Sequence, residues 1–122
     1  MPQGKSLFHK FPDYRVDLEP NPERVRIRYG DHVIADSTET LMVRESRHDP
    51  VIYFPRAAVD FDFLERTEHQ TFCPFKGDAS YWSLCAPGHR DENAVWSYED
   101  PFEEVAGLQG YLAFYEDRVE FC

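Results

Sequence analysis

Val25, Ile27 and Tyr29 alternate with Arg26 and Arg28, Gly30-Asp31 interrupts the run, and His32-Val33-Ile34-Ala35-Asp36 follows. Successive strand residues point to opposite faces, so period-two alternation about a turn dipeptide reads as a half-buried β-hairpin. The rest of the chain repeats the theme. Val51-Ile52-Tyr53-Phe54 is a β-branched and aromatic run bounded by Pro50 and Pro55, and Val59, Phe61 and Phe63 alternate with Asp60 and Asp62, giving two further strands. Leu41-Met42-Val43-Arg44 fits a strand or a helical turn. Tyr81-Trp82-Ser83-Leu84 and Ala94-Val95-Trp96-Ser97-Tyr98 flank a polar turn as a second hairpin would, and Tyr111 to Tyr115 and Arg118 to Phe121 bracket Glu116-Asp117 as a third. Asp100-Pro101-Phe102-Glu103 carries a cap residue, Pro at the first helical position and Glu three after the cap, which predicts one short helix ending near Gly107. The expected fold is therefore mainly β: a single compact antiparallel domain over residues 24–122, tent-like or barrel-like, with one short helix. Residues 1–23 carry Pro2, Pro12, Pro20 and Pro22 among polar neighbours and read as an irregular arm.

A chain of 122 residues suffices for one core, and 42% hydrophobic with 16% aromatic residues argues against disorder. The net charge of -10 excludes nucleic acid and an anionic membrane surface as expected partners, because both are bound through cationic neutralisation of phosphates. No apolar run approaches the length of a bilayer span. Cys73, Cys85 and Cys122 leave an odd thiol under any pairing, and no charged-then-apolar leader opens the chain, so the expected location is the cytoplasm.

The chemistry concentrates in Cys73-Pro74-Phe75-Lys76-Gly77-Asp78-Ala79-Ser80-Tyr81-Trp82, where a thiol, an amine and a carboxylate surround a Pro/Gly bend leading into an aromatic strand. Lys76, helped by Arg56 or Arg44, is positioned to receive an anionic or polar group, with Asp78 beside it and Tyr53, Tyr81, Trp82 and Trp96 as an aromatic wall. Cys73 is the candidate nucleophile, with Lys76 stabilising its thiolate and His48 or His69 as the base. Read without function, Cys73 is a small buried hydrophobe, the aromatics are core, and Lys76 forms a surface ion pair. No P-loop surrounds Lys76. His69-x-x-x-Cys73 and Cys85-x-x-x-His89 hold zinc-type side chains, but structural zinc sites use two-residue cysteine spacings, so no metal site is assigned.

Four segments taken in order, Val25-Arg26-Ile27-Arg28-Tyr29-Gly30 with Val33-Ile34-Ala35-Asp36-Ser37, Tyr53-Phe54-Pro55, Cys73 to Trp82, and Trp96-Ser97-Tyr98, resemble the bacterial and fungal domain-of-unknown-function family 427. The resemblance runs from about Arg24 to Phe121 and implies a compact, mostly β, tent-like domain whose activity is not established. It also brings the label nucleotidyltransferase-like. This chain lacks the Gly-Ser turn and following carboxylate pair of such enzymes, and only Asp60-Phe61-Asp62 matches the carboxylate part. The function expected is a small-molecule binding module, since pocket-forming residues are plentiful and no set of nucleophile, base and orienting group is legible together. The alternatives are an enzyme using Cys73 or a metal on Asp60 and Asp62, and an interaction domain using its sheet edges. Cofactor and oligomeric state are not specified by these residues.

Overall fold

The computed structural model describes residues 6–122 and consists of three antiparallel sheets. The first hairpin forms as β2 (Val25–Tyr29) and β3 (His32–Ser37), with Tyr29 paired to His32 across Gly30-Asp31. Gly30 has φ 59°, a conformation glycine enters at no steric cost. The opposite edge of β2 pairs with the two-residue β10 (Glu120–Phe121).

The central sheet has the order β6 (Leu64–Cys73), β7 (Gly77–Ala86), β8 (His89–Ser97), β9 (Leu112–Phe114). Strand β7 is buried on both faces, and its alternation sorts the core in two. Trp82 and Leu84 join Ile27, Tyr29, Ile34, Phe54 and Phe114 in one cluster, whereas Ala79 and Tyr81 join Val43, Tyr53, Tyr98 and Leu108 in the other. The third sheet, β1 (Val16–Asn21), β4 (Thr40–Glu45) and β5 (Val51–Tyr53), covers that second face. An isolated bridge from Phe54, just past β5, to Leu112 of β9 links the third sheet to the central one, and a second ties Ala35 of β3 to Val59 in the loop after β5; the three sheets do not close into a barrel. No helix among the described residues is long and apolar enough to cross a membrane.

Four expectations change. Val16–Asn21, inside the segment read as an irregular arm, is the edge strand β1, where Pro20 can sit opposite Leu41 because a missing N–H toward the open edge breaks no ladder. Phe61–Phe63 is not a strand: Asp60 caps a 3-10 turn by accepting a hydrogen bond from the Asp62 amide at 3.0 Å, and this local bond overrides the alternation. The helix begins two residues later than its cap signal at Asp100, as a 3-10 segment Glu103–Leu108 capped by Phe102, which has φ -58° and ψ 153°. Tyr111 to Phe121 is not a hairpin, because β9 pairs with β8 and β10 with β2, and the 3-10 turn Glu116–Arg118 carries the chain between the two sheets.

Candidate functional site

Strand β6 ends at Cys73, Pro74-Phe75-Lys76 makes the bend, and Gly77 opens β7 with φ 111°, so Cys73 and Gly77 face one another across the hairpin end. The Lys76 amide donates to the Cys73 carbonyl at 3.2 Å, and the Lys76 carbonyl accepts from the Phe102 amide at 3.1 Å. The bend is thereby tied to the strand before it and the turn after β8. Tight anchoring points the Lys76 side chain at the end of β4, where its Nζ donates to Glu45 Oε1. The other carboxylate oxygen accepts from the Tyr14 hydroxyl, and His48 Nε2 lies 3.9 Å from it. Lys76 is only 9% exposed, and the Glu45 side chain equally so. Its ammonium also stands 5.5 Å from the centre of the Tyr98 ring, within cation–π range.

This ion pair is the floor of a cavity of about 350 Å³ lined by Tyr53, Tyr81, Trp96, Tyr98 and Tyr115, with Cys73 and His48 beside them. Trp96 Nε1 donates to the Tyr53 hydroxyl at 3.0 Å, and Thr71 Oγ1 lies 2.9 Å from the Tyr81 hydroxyl, which fixes both walls. Tyr98, 7% exposed, also lines the cavity. Burial pushes the phenols of Tyr53, Tyr98 and Tyr115 upward, so they remain neutral donors at physiological pH. Phe72, 53% exposed, and Tyr115, 44% exposed, form an apolar rim.

Of the side chains singled out in the sequence, Tyr53, Cys73, Lys76, Tyr81 and Trp96 meet at this cavity. Trp82, Arg56 and Asp78 do not. Trp82 follows Tyr81 on a strand and so faces the opposite cluster, where the guanidinium of Arg56 lies 5.8 Å from its ring. Arg56 also reaches the Phe61 ring at 4.5 Å and pairs with Glu99 at 3.7 Å. Asp78 is exposed on the Trp82 side of β7. Arg44 pairs with Glu19 on the outside of the β1–β4 sheet. His48 lines the cavity with Cys73, whereas His69 stacks edge-on against Tyr81, rings 4.5 Å apart.

The four zinc-type side chains are spread along the hairpin. Cys73 is at the Gly77 end of β7 and Cys85 eight residues away along it, about 26 Å at strand rise, so the set cannot converge. No cluster of three or more metal-type ligands occurs among the described residues. Free thiols are found at Cys73, Cys85 and Cys122.

Sequence reasoning missed Glu45, Tyr14, Tyr98 and Tyr115. Leu41, Val43 and Glu45 share one face of β4, which would have marked Glu45 as inward-facing, but only once that segment is known to be a strand. Tyr14 carried no such signal, since its place depends on the arm folding back over Phe75, against which its ring stacks at 3.8 Å.

Comparison with known proteins gives one family: the model of the domain of unknown function DUF427, whose short label is that of a nucleotidyltransferase family, matches residues 17–122. No curated protein matches the chain.

Proposed function

The chain belongs to the DUF427 family, and from the geometry of its cavity we propose that this domain binds a small polar or anionic molecule between the β4–β5 sheet and the central sheet. The observation that carries the reading is a nearly buried Lys76–Glu45 pair that lines one cavity together with the rings of Tyr53, Tyr81, Trp96 and Tyr98. A buried ion pair generally contributes less to stability than apolar residues of the same volume, so packing alone does not account for it. An ammonium has three donors and Glu45 accepts one, which leaves Lys76 able to donate to a carboxylate, phosphate or carbonyl oxygen of a ligand. Tyr81, Trp96 and Tyr115 would cover the ligand's apolar body, as aromatic rings do in small-molecule sites.

The second reading is an enzyme with Cys73 as nucleophile. It is favoured by one observation, that Cys73, His48 and Lys76 line the same cavity. Metal chemistry on Asp60 and Asp62 has no comparable support, because Asp60 Oδ1 already accepts from the Asp62 amide. Three free thiols suit a reducing compartment, and the net charge of -10 favours a small molecule over nucleic acid as the ligand.

The test is native mass spectrometry of freshly purified protein against its denatured mass, followed by a fluorescence titration at Trp96 with small carboxylates, phosphates and amino acids. A retained mass, or saturable quenching that Trp96→Phe abolishes and Lys76→Met weakens, supports the reading. A bare mass with no response across the panel overturns it. Cys73→Ser then separates the classes: binding persists in a module, while turnover disappears in an enzyme.

A further inference from the structure

A second and larger cavity of about 610 Å³ lies where the N-terminal arm crosses the Phe75 bend. Its walls are Leu7, Phe11, Pro12, Tyr14 and Phe75, and its polar lining is Lys10, Arg47, Asp13 and Ser46. The arm is held in place from both ends of this wall. The Leu7 amide donates to the Pro74 carbonyl at 3.0 Å, the Ser46 amide donates to the Arg15 carbonyl at 2.9 Å, the Arg15 amide donates to Ser46 Oγ at 2.9 Å, and Phe8, Phe11 and Tyr14 all pack their rings on Phe75.

Charge is what distinguishes this cavity. Acids outnumber bases heavily in the chain, and every described Lys or Arg is engaged in an ion pair except Lys10, Arg26 and Arg47. Two of those three line this one cavity, with Asp13 as its sole carboxylate. Arg47 is moreover held at φ 67°, a left-handed conformation that costs a non-glycine residue about 1 kcal/mol or more and is over-represented at ligand sites. The strain falls on the residue that brings a guanidinium to the cavity. Phe11, 52% exposed, stands beside it as an open aromatic face.

We propose that this cavity is a second ligand site, which takes a small anion carried on an aromatic ring, Lys10 and Arg47 pairing with the carboxylate or phosphate and Phe11, Tyr14 and Phe75 packing on the ring. Guanidinium and carboxylate or phosphate form charge-assisted, often bidentate hydrogen bonds, and the surrounding rings supply the apolar contact that a free inorganic anion cannot use. The site is separate from the first cavity. Tyr14 is the wall between them, with its ring in the second cavity and its hydroxyl on Glu45 of the first.

The experiment is an amide-shift titration of the full chain with phenyl phosphate and with benzoate, set against inorganic phosphate and benzyl alcohol. Saturable shifts centred on Lys10, Phe11, Tyr14, Arg47 and Phe75 are expected for at least one aromatic anion, with a Kd of about 1 mM or tighter and each half-probe about tenfold weaker. Arg47→Gly should reduce that affinity about tenfold while folding normally, because glycine accepts the positive φ. Shifts confined to Tyr81, Trp96 and Lys76 would assign the probe to the first cavity and overturn the proposal. So would equal binding by Arg47→Gly, or no shift with either aromatic anion at about 10 mM.

Discussion

Replacing either member of the Lys76–Glu45 pair should cost far more than replacing both. Each side chain is about nine-tenths buried, so Lys76→Met leaves a carboxylate whose remaining neighbours are the Tyr14 hydroxyl and His48, and Glu45→Met leaves an ammonium facing the Tyr98 ring. Stranding one charge of a buried pair typically costs about 3–5 kcal/mol. The rim is open to water and Tyr14 still donates to Glu45, so the low end, about 3 kcal/mol, is expected for each single variant. For a chain of this size that lowers Tm by roughly 10–15 °C, out of a total stability of about 5–15 kcal/mol. Glu45→Met/Lys76→Met exchanges the pair for two apolar side chains of comparable length and should lie within about 1 kcal/mol of the parent. Urea denaturation of the four proteins completes the double-mutant cycle. Additive losses, or single variants within about 0.5 kcal/mol of the parent, would mean that the pair is screened by water and that the cavity floor is not desolvated. The same double variant should fold and yet lose ligand, which separates a binding role from a stabilising one.

Alkaline pH should unfold the protein steeply. The phenols of Tyr14, Tyr53 and Tyr98 are raised chiefly by burial, as is that of Tyr29, to about 12. A raised folded-state value gives stability that is fully present below the unfolded tyrosine value of 10.0 and is lost as pH climbs above it. Each buried phenol then removes about 1.4 kcal/mol per pH unit. Absorbance at the phenolate band and circular dichroism should move together from about pH 10 upward, and smooth ionisation of all tyrosines without unfolding would contradict the burial. Gly77→Ala should destabilise by about 1–3 kcal/mol, since the backbone sits at φ 111°, which an L side chain rarely adopts, although a Cβ would meet the Asp100 carbonyl oxygen and Pro101 Cα only at the ordinary contact distance of 3.5 Å. A Tm unchanged by that substitution would show that the bend relaxes freely.

Local patterns account for much of the fold. The alternation of Val25, Ile27 and Tyr29 about Gly30 specifies a hairpin because strand geometry admits one solution with the apolar side inward, and the aromatic run at Tyr81-Trp82 specifies a central strand for the same reason. Where alternation competes with a local hydrogen bond, as at Asp60 and Asp62, the side-chain cap prevails, and period two misleads. Pairing partners are a separate matter. Nothing in Tyr111 to Phe121 says that its two short strands join different sheets, because that is settled by which edges remain open once the larger hairpins have stacked. The candidate site divides along the same line. Cys73, Lys76 and Tyr81 are legible as a group because they lie within one hairpin, and Tyr53 and Trp96 because aromatics in strands are natural wall material. That Tyr81 lines the cavity while Trp82 does not follows from strand alternation alone. Glu45 reaches Lys76, and Tyr14 reaches Glu45, each across 31 residues of chain and only after β4 and the arm have docked, and no local pattern encodes that approach. Composition made this chain acidic, aromatic and β-forming; the stacking of three sheets decided which of its charges lost their water, and hence where its chemistry lies.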